Sequence, residues 1–332
     1  IDDDIDPKFL YYALTQKNIT EYLQTVAMNS VSAYPSISSD DIGDLTINIP
    51  NSKTQQKRIA KILSTLDEKI ETNIRINTEL ETIAKDLYDY WFIQFDFPDV
   101  NSKPYKSSGG QMAYNSDLKR EIPKGWEVST LSNWIATDKT GDWGKDIATA
   151  NYNLEVRCIR GADINGLNGV GNINAPKRYI LKKNHQKLLS PFDFIIEISG
   201  GSPTQSTGRI AYITEKTFER FDSPLVCSNF CKAVSLVNNQ YFYNFYYLWS
   251  SCYNNGIFFG WEGKTSGIKN LLFDSFIKNY YIETPPKNLA VQFFKYIDPI
   301  QKMKNQLLQE NSELSTLRDW LLPLLINGHI LV

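Results

Sequence analysis

The sequence predicts an α+β protein: a mixed domain of short strands and helices joined to two long helices that pack through a coiled-coil seam. Three observations predict it. A heptad pattern of apolar residues runs through residues 59 to 91, a second tract near the C-terminus repeats it, and between them lie short β-rich runs punctuated by Gly, Pro and Asn. The 332 residues suffice for two to three domains at about 100–200 residues each. With 42% hydrophobic and 22% charged residues and no apolar run near the roughly 18 residues of a membrane span, a transmembrane protein is ruled out.

The first 50 residues open on the acidic stretch IDDDID, which has neither the basic nor the apolar region of a signal peptide. Pro50 closes an expected strand, LTINIP, and Ser52 or Thr54 can cap the helix that follows. Its seam is Ile59, Leu63, Leu66, Ile70, Asn73, Asn77, Leu80, Ala84, Leu87 and Trp91, in strict 4-3 spacing. From Lys57 to Phe92 it would span roughly 54 Å at about 1.5 Å per residue. Asn73 and Asn77 in mid-seam allow two readings. Either they fix register by pairing their amides across the helices, or the seam opens to solvent there.

The second helix repeats the first. LSTLDEKI (63–70) lies opposite FKYIDPIQ (294–301) and INTELETIAKDL (76–87) opposite QENSELSTLRDWL (309–321), so one helix carries a three-residue insertion. FLYYAL (9–14) parallels FYYLWS (245–250), and LTINIP (45–50) parallels YYIETPP (280–286). The order is domain tail, long helix, domain, long helix. Residues 1–50 are expected to be the C-terminal part of a first domain whose equivalent of 126–236 is missing, as in a truncated product. Residues 51–97 form the first long helix, 98–122 a linker rich in Pro, Gly, Ser and Lys, 123–284 a complete domain and 285–332 the second long helix. Within the complete domain, EVRCIRG, PFDFIIEIS and RIAYIT read as strands and 240–253 as a helix, its aromatic run YFYNFYYLW packing a core. Two long loops, 199–208 and 260–270, are where binding residues usually sit.

The net charge of -2 is a cancellation. Residues 1–99 hold 9 basic and 17 acidic residues, the remainder 26 and 20. Within 155–220 the balance is 10 basic to 6 acidic, which fits a face that touches phosphates and equally an ordinary mixed surface.

Catalytic constellations fail. GWEGKT (260–265) lacks the Gly that a phosphate loop needs at position 258, and reads as a turn carrying an exposed Lys264. There is no G-x-S-x-G elbow, TPPK lacks the Asn and aromatic of an adenine methyltransferase motif, and no acidic pair followed by E-x-K suggests a nuclease. His185 and His329 read as exposed, and Cys227 and Cys231 as small buried hydrophobes rather than metal ligands. Four cysteines are too few for a disulfide scaffold, so a reducing cytoplasmic location is expected.

IPNSKTQQKRIAKILSTLDEKIE followed by INTELETIAKDLYDYWFIQF, and the domain opener IPKGWEVSTLSNW, resemble the specificity subunit of type I restriction-modification enzymes over nearly the whole chain. The resemblance implies a non-catalytic DNA-reading subunit whose mixed domain is a target recognition domain. Its two helices would pack antiparallel as a spacer, with one domain reading a half-site of a bipartite target. Implied partners are double-stranded DNA, methyltransferase subunits and restriction/translocase subunits, with self-association of truncated chains a further expectation. S-adenosylmethionine, ATP and Mg are expected only in the partner subunits, and this chain carries no cofactor or metal.

DNA contacts are expected from loop residues Arg160, Lys177, Arg178, Tyr179, Lys182, Lys183, Gln205, Ser206, Arg209, Lys264, Thr265, Ser266 and Lys269. Arg178, Gln205 and Arg209 are expected on base edges and the lysines on phosphates. The alternative is a helical spacer or interaction protein whose mixed domain binds protein or carbohydrate.

Overall fold

The computed structural model describes residues 4–30, 34–169, 171, 173–200, 202, 204–265, 268–330 and 332, the side chains of Lys264 and Thr265 excepted. The chain divides into two compact units, one of residues 1–75 and 307–332, the other of residues 76–306.

In the first unit, α1 (Pro7–Leu14) starts where sequence rules place a helix: Asp6 accepts the N–H of Phe9 at 3.0 Å, and Pro7 occupies the first turn. It is followed by α2 (Lys17–Met28) and α3 (Ser39–Gly43), the latter closed by a capping box of Ser38 and Asp41. Ser52 caps α4 (Lys53–Tyr88) through the N–H of Gln55 at 3.4 Å. The helix therefore starts four residues ahead of the expected Lys57. Phe9, Tyr12 and Ala13 pack on Ile59, Ala60 and Leu63 and on Leu322, Leu325 and Ile326 of the C-terminal helix, forming this unit's core. Residues 45–50, expected as a strand, alternate correctly, with Leu45, Ile47 and Ile49 turned inward and Thr46 and Asn48 outward. They have no strand partner among the described residues, so no ladder forms.

The second unit takes up the rest of α4, which ends in a π-turn at 89–93 that carries Trp91 and Phe92 into the core. The expected linker is folded. Asp96 takes the N–H and hydroxyl of Ser107, Tyr105 stacks on Phe97 with ring centroids 4.7 Å apart, and β1 (Met112–Asn115) pairs with β2 (Arg120–Pro123) as a hairpin. Polar composition concealed this because a few aromatic contacts, rather than a periodic face, hold the segment.

Further along the chain come β3 (Glu127–Thr130), β4 (Ile135–Thr140), β5 (Tyr152–Ile159), α5 (Ile164–Asn168), β6 (Lys177–Leu181), β7 (Phe194–Glu197), β8 (Ser199–Gly200), β9 (Ile210–Tyr212), α6 (Glu215–Phe218), β10 (Leu225–Cys227) and β11 (Cys231–Leu236). They end in α7 (Phe242–Asn254), β12 (Glu262–Thr265), β13 (Ile268–Leu271), α8 (Phe273–Asn279), β14 (Tyr281–Thr284) and α9 (Lys287–Ile326). The sheets are β4-β11-β7-β9, β10-β5-β6, β12-β13-β8 and β14-β3. Strand β7 is buried at all four positions, and Phe194 on it meets Phe242 and Phe245 of α7 at 4.5 and 4.8 Å between centroids. The aromatic run of α7 is core, as its sequence implies. GWEGKT is not a turn: its last four residues are strand β12, paired with β13.

Helices α4 and α9 pack antiparallel. In the first unit Asp67 meets Arg318 at 2.8 Å and Asn73 meets Asn311 at 2.9 Å; in the second, Glu81 bonds Lys304 and Tyr88 packs on Phe293. Every seam residue is buried or half-buried. Asn73 and Asn77 are buried too, which removes the solvent-opening reading. Asn73 donates across the helices to Glu310 and Asn311, while the Oδ1 of each Asn has no partner among the described residues. Such half-satisfied amides cost stability and favour the one alignment that gives them any partner.

Candidate nucleic-acid interface

The two long loops are built into one sheet. Strand β8, at the start of the 199–208 loop, pairs with β13, Ser199 opposite Asn270 and Gly200 opposite Lys269, and Leu271 N–H donates to Ile198 at 2.9 Å. Glu262, almost buried, is the anchor: it accepts the N–H of Thr207 at 2.7 Å and pairs with Lys269 at 3.2 Å. Lys269 also lies 4.8 Å from the ring centroid of the half-exposed Phe259. Gln205 is exposed, and its amide donates to the hydroxyl of Tyr253 at 3.2 Å. Ser206 is buried and turned away from the surface. Ser266, and the side chains of Lys264 and Thr265, lie outside the described residues.

The two arginines expected on base edges both have partners within the fold. Arg209 forms a two-pronged ion pair with Glu197, at 2.9 and 2.6 Å, with Glu197 buried on β7. Gly161 leaves room for it, since a Cβ there would stand 2.7 Å from the Glu197 carboxylate. The pair holds the Arg209 guanidinium firmly charged, its pKa raised. Arg178 is 5% exposed and donates to the carbonyls of Trp143 and Gly144, at 2.8 and 3.2 Å, and to Asp146, with its guanidinium 4.1 Å from the Trp143 ring centroid. To reach a base Arg209 would have to abandon a buried partner, and Arg178, itself buried, its bonds to Trp143, Gly144 and Asp146. Arg178 instead fastens the 141–146 loop onto β6.

Arg160 behaves likewise. It pairs with the buried Asp163 at 2.9 Å and donates to the Asn174 carbonyl at 2.7 Å. Burial pushes the Asp163 carboxyl up, and the bonds from Arg160 and from backbone N–H groups outweigh it, leaving its pKa below the ordinary carboxylate value. Lys177 pairs with Glu155 at 3.0 Å, and the Tyr179 hydroxyl donates to the same carboxylate at 3.3 Å. Lys182 and Lys183 sit on an exposed 3-10 turn at 182–187 with no ion-pair partner among the described residues.

Sequence reasoning passed over Trp143, Lys145, Phe230 and Phe259. Trp143, Phe230 and Phe259 are exposed aromatics, and Lys145 lies over the ring of Tyr152 at 4.6 Å. A signal for the first two was present in TGDWGKD, an aromatic and a lysine between turn-forming Gly and Asp.

His185 and His329 are exposed. The four cysteines are free and buried, and burial raises the thiols of Cys158 and Cys231 to about 12 and that of Cys252 to about 11. Among the described residues there is no group of three or more His, Cys, Asp or Glu that could hold a metal, and no helix long and apolar enough to cross a membrane.

Residues 1–82 match the family model of the type I restriction modification DNA specificity domain. Over 99% of its length the chain is 26% identical to the Type I restriction enzyme MjaIX specificity subunit of Methanocaldococcus jannaschii, spanning 70% of that protein. A 112-residue stretch is 38% identical to the Type I restriction enzyme HindI specificity subunit of Haemophilus influenzae, covering 34% of this chain and 24% of that one. Among solved structures, the S subunit of a type I restriction-modification system from M. genitalium superposes over 97% of this chain and 73% of that one, with a TM-score of 0.54 at 18% identity, a likeness of fold.

Proposed function

We propose, from the kinship of this chain with the specificity subunits of type I restriction-modification enzymes, that it is the subunit that reads DNA sequence. The observation that carries the proposal beyond kinship is the division of polar groups in the second unit. Acidic partners hold Arg160, Arg178 and Arg209, while Lys182, Lys183 and Gln205 are exposed, as are the aromatics Trp143, Phe230 and Phe259. Fixed arginines shape the loops, free lysines suit phosphates, and an exposed amide and aromatic rings suit base edges.

In this reading the chain is non-catalytic and cytoplasmic, reads one half of a bipartite site, and docks methyltransferase and restriction subunits. S-adenosylmethionine, ATP and Mg belong to those partners. The test is a selection from a random duplex library with the methyltransferase subunits present, followed by a salt titration of the selected duplex. One enriched sequence and a steep fall in affinity with salt are expected, because phosphate contacts release counterions. No enrichment and no duplex binding would favour the interaction-protein reading.

A further inference from the structure

We propose that loop 141–147, with the 3-10 turn at 182–187 beside it, is a subsite for an unpaired nucleotide: Trp143 stacks on its base, and Lys145, Lys182 and Lys183 hold the adjoining phosphates. The inference goes beyond sequence reading in a duplex and does not depend on it.

The loop is held to β6 and to the turn before any ligand arrives. Lys145 and Tyr179 exchange both backbone hydrogen bonds at 2.9 Å. Gly144 lies at a φ of 60°, and its backbone comes too near the Tyr179 carbonyl to leave room for a Cβ. On the other side Asn184 donates its amide to Asp142 at 2.6 Å, and Lys187 donates to the Gly141 carbonyl at 3.0 Å. Arg178, itself buried, then fixes the ring: it donates to the Trp143 carbonyl at 2.8 Å and lays its guanidinium 4.1 Å from the ring centroid. One face of the indole is taken by that cation. Trp143 is nevertheless 38% exposed, so what it offers to solvent is the opposite face and the rim.

The charges around the ring sort in one direction. The acids of the loop are engaged from within: Asp142 accepts Asn184 and the Gly144 N–H, and Asp146 accepts Arg178. Lys145, Lys182 and Lys183 are exposed and have no ion-pair partner among the described residues, Lys145 reaching only over the ring of Tyr152. An aromatic face beside unneutralised lysines matches a nucleic-acid strand, whose bases stack and whose phosphates carry the charge. In a paired duplex each base face is covered by its neighbours, so an open indole face meets a base face only where a base has left the stack. A ring immobilised beforehand loses little freedom on binding.

The probe is a fluorescein-labelled oligothymidine of about 12 nucleotides, titrated with the full chain against an oligomer of the same length whose residues are abasic. Oligothymidine should bind at least about fivefold more tightly, and Trp143→Ala should remove that preference while Trp143→Phe keeps most of it. Lys182→Ala and Lys183→Ala should weaken both oligomers alike and lower the salt slope. Should Trp143→Ala unfold, photocrosslinking of an iodouracil oligomer to the unaltered chain still decides, with the adduct expected at Trp143. No saturable binding, equal binding of the two oligomers, a thymidine preference that survives Trp143→Ala, or adducts confined to Phe230 or Phe259 would overturn the proposal. Failure of the duplex selection would remove sequence reading alone, and an enriched duplex with no adduct at Trp143 would remove this inference alone.

Discussion

Arg178 and Arg209, set beside Lys182 and Lys183, show two uses of positive charge in one unit. The arginines are inside, each guanidinium held by an acid and by its packing; the lysines stand on a solvent-facing turn without an acid among the described residues. Arginine's fixed fork suits a buried two-pronged pair, and lysine's hydrated ammonium keeps best to water. A basic residue in a loop is thus a contact candidate only after its acidic neighbours are known.

The contrast can be broken most forcefully at Arg209. Arg209→Ala leaves Glu197 buried without its partner and should lower the unfolding free energy by about 3–5 kcal/mol in denaturant titration. A loss below about 1 kcal/mol, with base discrimination gone, would return Arg209 to the DNA surface. Arg178→Ala should cost about 1–3 kcal/mol, since it strips the carbonyls of Trp143 and Gly144 of their donor while Asp146 stays in solvent.

Asp163→Asn should cost about 1–3 kcal/mol at neutral pH by weakening the bonds from Arg160 and Asn174. The folded carboxyl titrates below its unfolded value of about 3.9, so its stabilisation is present above that pH and is lost as pH falls through the folded pKa. The gap between variant and parent should therefore close below about pH 4. The smallest stability effect belongs to Lys182→Ala and Lys183→Ala, each within about 0.5 kcal/mol of the parent. If these lysines meet phosphates, each variant lowers the salt slope of duplex binding by about 1. A stability loss as large as that of Arg178→Ala would place them with the structural arginines.

How much of this was legible in the sequence depended on range. The seam from Ile59 to Trp91 could be read residue by residue, because one helix repeats its environment every turn or two. The Ser52 cap and the buried run of α7 were legible for the same local reason. The arginine pairs were not: Asp146 lies 32 positions from Arg178, and Glu197 lies 12 from Arg209 across a strand pairing. The 98–122 segment was misread because Phe97, Tyr105 and Ile122 hold it by contacts with no period. The placement of the two long loops as binding candidates came from composition. Their union through Ser199 and Asn270 is a fact of sheet pairing that no local pattern carries.

That union bears on how such a surface changes over time. Since β8 and β13 share a ladder, and Glu262 on one loop holds Thr207 on the other, neither loop can be replaced alone without breaking the other's support. New binding preferences on this scaffold would then spread by exchange of the whole 199–271 block, with the helices kept, more readily than by drift within one loop.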